Sequence, residues 1–121
     1  MSPYHHAQSS ARKWGDHPSK YIAIHDWFDN TKQYTGDWTH RALRHHSVGV
    51  QEAIEKFGHF IAIMRDDKRV EVPVKLIAEQ HILEDCGFIP TPADWLCVLA
   101  KHPEDWMLKV KTTTKMQIPT S

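Results

Sequence analysis

The chain has 121 residues with 40% hydrophobic and 25% charged side chains, and its 15 basic and 15 acidic residues leave no formal net charge. This length fits a single domain with its own core, and the neutral charge argues against a non-specific nucleic-acid binder, which usually presents a strongly basic face. Two cysteines without a CxxC pattern, no apolar run long enough to cross a membrane and no signal-peptide pattern together predict an intracellular protein in a cytoplasmic setting.

Apolar spacing, capping residues and helix breakers predict five helical segments. Pro18 suits the first turn of the second helix, and Asp37 is a favourable N-cap for the third. The run Ser47-Val48-Gly49 in the middle of the third helix can bend that helix or split it in two. In chain order, the predicted helices cover about residues 1–14, 18–31, 38–57, 74–86 and 92–101.

Between the third and fourth helices the pattern becomes that of a β-hairpin. Two short apolar segments, 60–64 and 70–72, flank a polar turn at 65–68. A two-stranded hairpin is marginal by itself, so it must pack on helices. The predicted fold class is therefore α+β and mainly α, a compact domain of four to five helices with one small hairpin. Residues 1–110 are expected to form this domain, and residues 111–121 a flexible C-terminal tail.

Ten histidines are a large number for a chain of this length, and some of them stand with carboxylates at helical spacing. His25 and Asp29 are four residues apart and share one face of the second helix. In the fourth helix, Glu84 and Asp85 follow His81 by three and four residues. This is the reverse of the Glu-x-x-His pairing found in carboxylate-bridged metal sites of helix bundles.

The segment 40–46, with the sequence HRALRHH, adds basic groups to this pattern. His40 shares a helix face with Arg44, whereas Arg41 shares another with His45. Arg41 and Arg44 are expected to bind an anion, because guanidinium groups hold phosphate bidentately. The alternative is a solvated face or an arginine–carboxylate network that only stabilises the fold, and surface pairs of that kind contribute under about 1 kcal/mol.

Imidazole and carboxylate groups on separate helices predict a divalent-metal site. Zinc, iron, nickel or manganese would suit these donors. If the protein is an enzyme, metal-assisted hydrolysis of a phosphoester or nucleotide is the expected reaction, with Glu84 or Asp85 as general base. His5 and His6 join the site if the N-terminal segment folds over it. The predicted metal ligands are His25, Asp29, His40, His45 and His81, and the predicted anion-binding residues are Arg41 and Arg44.

Neighbouring arginine or a bound metal would lower the histidine pKa values. In that case the domain should lose stability as the pH falls from about 6.5 to about 5. Nucleophilic catalysis by cysteine is not indicated. Cys86 precedes Gly87 at a helix C-terminus, where the helix dipole raises a thiol pKa, and Cys97 is expected in the core between Leu96 and Val98.

An ordered set of motifs spans residues 4–107 and resembles a family of small bacterial and phage proteins known only as a domain of unknown function. The resemblance implies this fold and a bacterial or phage-infected cytoplasm, and it implies no activity. The family's hairpin usually has an Asn-Ser-Asp-Gly turn, which Arg65-Asp66-Asp67-Lys68 replaces here. The motifs are HHA at 5–7, SS at 9–10, KWG at 13–15, YxxIHxWFD at 21–29, HRALRHH at 40–46, FG at 57–58, EQHxxED at 79–85, IP at 89–90 and DW at 94–95.

A protein of a different class remains an alternative. A non-enzymatic binding protein, for instance a phage factor that binds a host protein or sequesters an anionic small molecule, would also suit a neutral chain with five tryptophans. In that protein the histidine, arginine and carboxylate groups would hold the fold together or form an anion pocket. A stoichiometric partner captured from a host lysate, together with no hydrolysis of a panel of nucleotides, would favour the binding protein.

Overall fold

A computed structural model describes residues 1–109, so the predicted tail at 111–121 lies outside the described residues. The fold is α+β and mainly α, as predicted. Five of its helices within residues 1–109 have eight residues or more, and short helical turns connect them. In chain order the elements are α1 (Pro3–Trp14), a 3₁₀ turn (Pro18–Lys20), α2 (Ile22–Asp29), α3 (Lys32–Thr35), a 3₁₀ turn (Trp38–His40), α4 (Arg41–Arg44), α5 (Ser47–Phe57), β1 (Phe60–Arg65), β2 (Lys68–Pro73), α6 (Val74–Cys86), α7 (Pro92–Lys101) and α8 (Asp105–Leu108).

The predicted helix over 38–57 is split, and the split positions part of the site. His46 has an extended backbone (φ −159°), and its Nδ1 accepts a hydrogen bond from the Gly49 N–H, so His46 caps the start of α5. A Cβ atom on Gly49 would lie 1.7 Å from the carbonyl oxygen of Arg44, so only glycine permits this approach of α4 to α5. In one continuous helix, His40 and His45 would point in different directions, since five residues correspond to about 140° beyond a full turn.

The hairpin forms where the sequence predicts it, with strands slightly longer than expected. Arg65 pairs with Lys68 across a two-residue loop, in which Asp66 and Asp67 have φ angles of 53° and 62°. Both positive φ angles are those of the tight turns that match strand twist, and aspartate tolerates the left-handed region better than most residues. The inward side chains Ile63 and Val72 are 1% and 2% exposed. The hairpin therefore packs its inner face onto the core.

Helix α6 lies at the centre of the molecule and contacts α1, α2, α5 and β2. It has the bounds that the sequence predicts, and it buries two polar residues, Gln80 and His81, beside its apolar ones. Two further findings concern the position of Cys97 and the question of a membrane-spanning helix. Cys97 is exposed, because α7 has no buried residue, so its expected place in the core was wrong. Within residues 1–109, no helix is both long enough and apolar enough to cross a bilayer.

Candidate metal centre

Four side-chain atoms converge between α2, α4 and α6. His81 Nε2 lies 3.1 Å from His45 Nε2, 3.2 Å from Asp29 Oδ1 and 3.3 Å from Asp85 Oδ2. His45 Nε2 lies 3.0 Å from Asp85 Oδ2 and 3.4 Å from Asp29 Oδ1. We call these atoms the four-atom centre. Both histidines are fully buried, and the side chain of Asp85 is only 3% exposed.

The spacing of the four-atom centre is close to that of a metal coordination shell. A tetrahedral site with metal–ligand distances of about 2.0–2.1 Å has ligand–ligand edges of about 3.3–3.4 Å. Five of the six edges, all those that involve an imidazole nitrogen, run from 3.0 to 3.4 Å. Two imidazole nitrogens and two carboxylate oxygens are donors that zinc, iron, manganese and nickel all accept. The residues present therefore fit a divalent cation.

His40 approaches the same centre in the tautomer that metal ligands adopt. Its Nδ1 donates to the carbonyl oxygen of Asp37 at 2.8 Å, which leaves Nε2 unprotonated in the neutral ring. Nε2 lies 3.3 Å from Asp29 Oδ1, so its lone pair faces a carboxylate oxygen. Metal-bound histidines commonly donate their other ring N–H to a carbonyl in this way. His40 thus has the orientation of a fifth ligand.

A buried chain of hydrogen bonds fixes the tautomer of His81. His25 Nε2 lies 2.7 Å from the hydroxyl of Ser10, and that hydroxyl donates to the Oε1 atom of Gln80. Since the hydroxyl has one proton, His25 Nε2 must be the donor to Ser10, and His25 Nδ1 accepts from His81 Nδ1 at 3.0 Å. This assignment leaves the lone pair of His81 Nε2 directed at the four-atom centre.

His25 is held neutral in this chain. Burial, with the neighbouring rings of His81 and His6, lowers the pKa of His25 from 6.5 to about 2. A neutral His25 is what the assignment requires, because its Nδ1 must accept a proton from His81. His25 therefore lies on the far side of His81 from the four-atom centre and orients the ring of His81.

His6 bridges the two consecutive carboxylates of α6. Its Nδ1 lies 2.7 Å from Glu84 Oε1, and its Nε2 lies 3.1 Å from Asp85 Oδ1. Burial opposes protonation of His6, but the hydrogen bonds to Asp85 and Glu84 outweigh it and raise the pKa of His6. Glu84 also accepts from the Gln80 amide at 2.8 Å. A protonated His6 thereby anchors Asp85 through the oxygen that faces away from the four-atom centre.

Without a cation, the four-atom centre has more acceptors than protons. Burial opposes protonation of His45 as well, but hydrogen bonds to Asp29 and Asp85 outweigh it and raise its pKa. Burial alone would raise the pKa values of Asp29 and Asp85. Hydrogen bonds outweigh burial and lower both values, and the hydrogen bond to His45 contributes most in each case. One His45 N–H therefore serves three close partners, and His45 Nδ1 has no hydrogen-bond partner within residues 1–109.

Two cavities adjoin the centre, and Arg41 and Asp85 line both. The entrance cavity has a volume of about 460 Å³ and is also lined by Asp29, Lys32 and His40. The side cavity has a volume of about 300 Å³ and is also lined by Cys86, Phe88, Pro90, Asp94 and Trp95. The Arg41 Nε atom is buried and has no hydrogen-bond partner among the described residues. The centre is thus reachable from a basic, partly aromatic surface.

Comparisons with known proteins identify the family. The family model described as a domain of unknown function (DUF6915) matches residues 1–107. The chain belongs to this family. The resemblance drawn from the motifs is thereby confirmed at the level of the family, which assigns no activity. No curated protein and no solved structure matches the chain.

In this family member, the five predicted metal ligands all belong to groups of side chains that could hold a metal ion. Asp29, His40 and His45 offer ligand atoms within 4.8 Å of one another, as do His6, Asp29, His81 and Asp85, and His25 forms a third such group with His6 and His81. Glu84 is held by His6, Ser9 and Gln80. Arg44 lies outside the centre: its guanidinium donates to the Trp27 carbonyl and the Asn30 side chain and lies over the Trp27 ring. His5 is exposed and contacts Ser2.

The sequence interpretation missed Ser10 and Gln80 and misjudged the pKa values. Ser10 follows His6 by four residues, and Gln80 precedes Glu84 by four, so helical spacing was the available signal. The expectation that arginine lowers the histidine pKa values was wrong for His45, because hydrogen bonds to Asp29 and Asp85 outweigh its burial. His25 does have a lowered pKa, but burial and other histidines cause it.

Proposed function

We propose that this protein binds one divalent metal ion with Asp29, His45, His81 and Asp85, and that His40 completes the shell on the side of the entrance cavity. The observation that carries the proposal is the set of five ligand–ligand distances between 3.0 and 3.4 Å. Zinc, iron, manganese and nickel are the candidate ions, since the donors are imidazole and carboxylate without thiolate.

A proton network that merely holds the fold together explains the same residues less well. His40 and His81 both have an Nδ1 proton engaged elsewhere, so in the neutral form of each ring the Nε2 lone pair faces a carboxylate oxygen. A lone pair and an anion at about 3.3 Å repel each other. A cation between them converts each of these contacts into an attraction. The arrangement of tautomers therefore favours a metal over protons alone.

The entrance cavity supports a hydrolytic use of this ion. A bound divalent cation can lower the pKa of a coordinated water to about 7. Asp29 and Asp85 both line the cavity and would orient that water, although the lowered pKa values of both carboxyl groups make them weak bases. Glu84 then acts through His6 and Asp85 as a positioning residue. The expected substrate is anionic, because Lys32 and Arg41 border the cavity.

The test is metal binding by protein purified without a histidine tag. We expect one zinc, manganese, iron or nickel ion per chain by elemental analysis after incubation and dialysis. His81→Gln and Asp29→Asn should weaken binding by more than about 100-fold, because even groups that only orient a ligand contribute about 10- to 100-fold. His59→Gln is the matched control, since His59 is exposed and belongs to none of the possible ligand groups among the described residues.

Circular dichroism confirms that each variant is folded before its affinity is measured. Wild-type protein that retains no stoichiometric metal with any of the four ions would contradict the proposal. So would equal affinity in the wild type and both ligand variants, because the metal would then be bound elsewhere.

A non-enzymatic binding protein is the second candidate, and one observation favours it. Helix α7 carries apolar side chains that nothing within residues 1–109 covers: Leu96, Val98 and Leu99 are 54%, 63% and 52% exposed. Apolar patches of this kind often mark protein–protein contacts. Metal-loaded protein that leaves a panel of phosphoesters intact, while Leu99→Glu abolishes a stable complex with another protein, would support this candidate.

A further inference from the structure

The proposed metal centre leaves an excess of positive charge beside it. Two carboxylates, Asp29 and Asp85, balance a divalent ion, and the N-terminal ammonium of Met1, which also lines the entrance cavity, lies 3.6 Å from Asp85 Oδ1. Lys32 and Arg41 remain, and neither forms an ion pair within residues 1–109. The side of the centre that faces the entrance cavity therefore carries two positive side chains, Lys32 and Arg41, without an ion-pair partner among the described residues. A phosphate monoester carries about −1.5 to −2 charges at pH 7 and matches them.

Arg41 connects this charged region to an apolar one. It lines both the entrance cavity and the side cavity, and its Nε atom is buried with no partner among the described residues. A buried guanidinium N–H without an acceptor is costly, because it has lost its hydration without replacement. A phosphate oxygen at the junction of the two cavities would supply the acceptor. Arg41 is thus the group around which a ligand would be oriented.

The side cavity has the chemistry of a pocket for a planar ring. Phe88, Pro90 and Trp95 line it, and the Trp95 ring is fixed because its Nε1 donates to the His45 carbonyl at 2.9 Å. Aromatic side chains bind bases by stacking, whatever the base. Asp94 lines the same cavity and would repel a phosphate there. The charges therefore place the phosphate in the entrance cavity and the ring in the side cavity.

We propose that the site binds a phosphate monoester that carries a planar ring, in the manner of a nucleoside monophosphate. The phosphate lies on the metal between Lys32 and Arg41, and the ring packs against Phe88 and Trp95. This inference rests on the proposed metal centre. It goes beyond that centre because it assigns Lys32, Phe88 and Trp95 to a ligand, and because it takes Arg41 without Arg44 as the anion-binding arginine.

The experiment measures calorimetric affinities of zinc-loaded protein for four nucleoside 5′-monophosphates, phenyl phosphate, inorganic phosphate and adenosine. We expect at least one ring-bearing phosphate to bind about 5- to 150-fold more tightly than inorganic phosphate, the range that base–aromatic stacking provides. Adenosine should bind more weakly than the phosphates. If phenyl phosphate binds as tightly as the nucleotides, the ring alone determines the affinity. If the nucleotides bind more tightly, the site recognises a nucleoside. Either result supports the proposal.

Variants separate the parts of the ligand and the failure of each proposal. Arg41→Gln should weaken binding of all phosphates by about tenfold or more, whereas Phe88→Ala should weaken only the ring-bearing ones. Arg12→Gln is the control, because Arg12 is exposed on α1 and lines neither cavity. This inference is overturned, and the metal centre left intact, if zinc binds but none of the phosphates does. The same holds if inorganic phosphate binds as tightly as every ring-bearing phosphate. Absence of zinc binding overturns the metal centre instead.

Discussion

Replacement of His25 tests whether a residue outside the proposed four-atom centre sets the affinity of that centre for a metal ion. His25→Leu removes the acceptor for His81 Nδ1 and the donor to Ser10, two contacts of 3.0 and 2.7 Å in a fully buried setting. The His81 ring then loses the partner that fixes its tautomer. Loss of such an orienting partner typically lowers metal affinity by about 10- to 100-fold, which corresponds to about 1.4–2.7 kcal/mol.

The same substitution should also lower the stability of the metal-free protein. It leaves a buried N–H of His81 unsatisfied, which costs about 1–3 kcal/mol. His25→Asn is the matched variant, because the Oδ1 atom of asparagine lies near the position of the lost Nδ1 and can accept from His81. We expect His25→Asn to recover part of the affinity and of the stability.

The assay is competition for zinc with a chromogenic chelator, combined with urea unfolding of the metal-free forms. A change in affinity of less than threefold for His25→Leu would refute the role of His25 in orienting His81. Loss of zinc binding as complete as in His81→Gln would refute it in the opposite direction, because His25 would then be a ligand.

Two further predictions concern pH and the break between α4 and α5. The metal-free protein should be most stable near pH 6.5. Below that pH, the unfolded chain protonates His25 while the folded chain does not, and this lowers the free energy of unfolding by about 1.4 kcal/mol per pH unit. Above it, the folded chain keeps protons on His6 and His45 that the unfolded chain loses, and the stability that these protons provide is lost as the pH rises through the raised pKa values. Zinc-loaded protein should instead gain stability as the pH rises, since metal and protons compete for His45, and melts of both forms from pH 5 to 8 with the same profile would contradict this. Gly49→Ala should lower the free energy of unfolding by more than about 3 kcal/mol, because the added Cβ would overlap the Arg44 carbonyl oxygen. Gly36→Ala is the control: its Cβ has open space, so the variant should lose only about 1–2 kcal/mol for the left-handed backbone. Equal urea midpoints for the two variants would show that α4 and α5 can separate freely.

The part of the site that lies on one helix was predictable, and the part that depends on chain breaks was not. His81 and Asp85 are one turn apart on α6, whose bounds follow from Pro73 and Gly87, so helical spacing alone places them together. His40 and His45 both approach Asp29 only because α4 ends after Arg44. The sequence indicated a possible break at Ser47-Val48-Gly49, but it could not give the direction in which His45 turns.

Buried polar residues were harder to identify than ligands. A serine or glutamine on a helix is usually exposed, and burial of either is acceptable only when other side chains satisfy its hydrogen bonds. Ser10 and Gln80 satisfy each other and His25, yet they lie 70 positions apart in the chain. Periodicity is local, so it cannot report partners at that distance. The exposed α7 was misjudged for a related reason: apolar spacing predicts a helix but does not guarantee that another element covers it.

The distribution of the converging side chains along the chain has a consequence for how the protein matures. Asp29 comes from α2 and Asp85 from the end of α6, and His6 reaches Glu84 across 78 positions. A chain emerging from the ribosome N-terminus first exposes His6, His25, His40 and His45 well before α6 is synthesised. No such partial chain can assemble the centre. If the proposed metal ion is bound, its capture therefore requires the completed helical core, because the ligands on α2 and α6 come together only there.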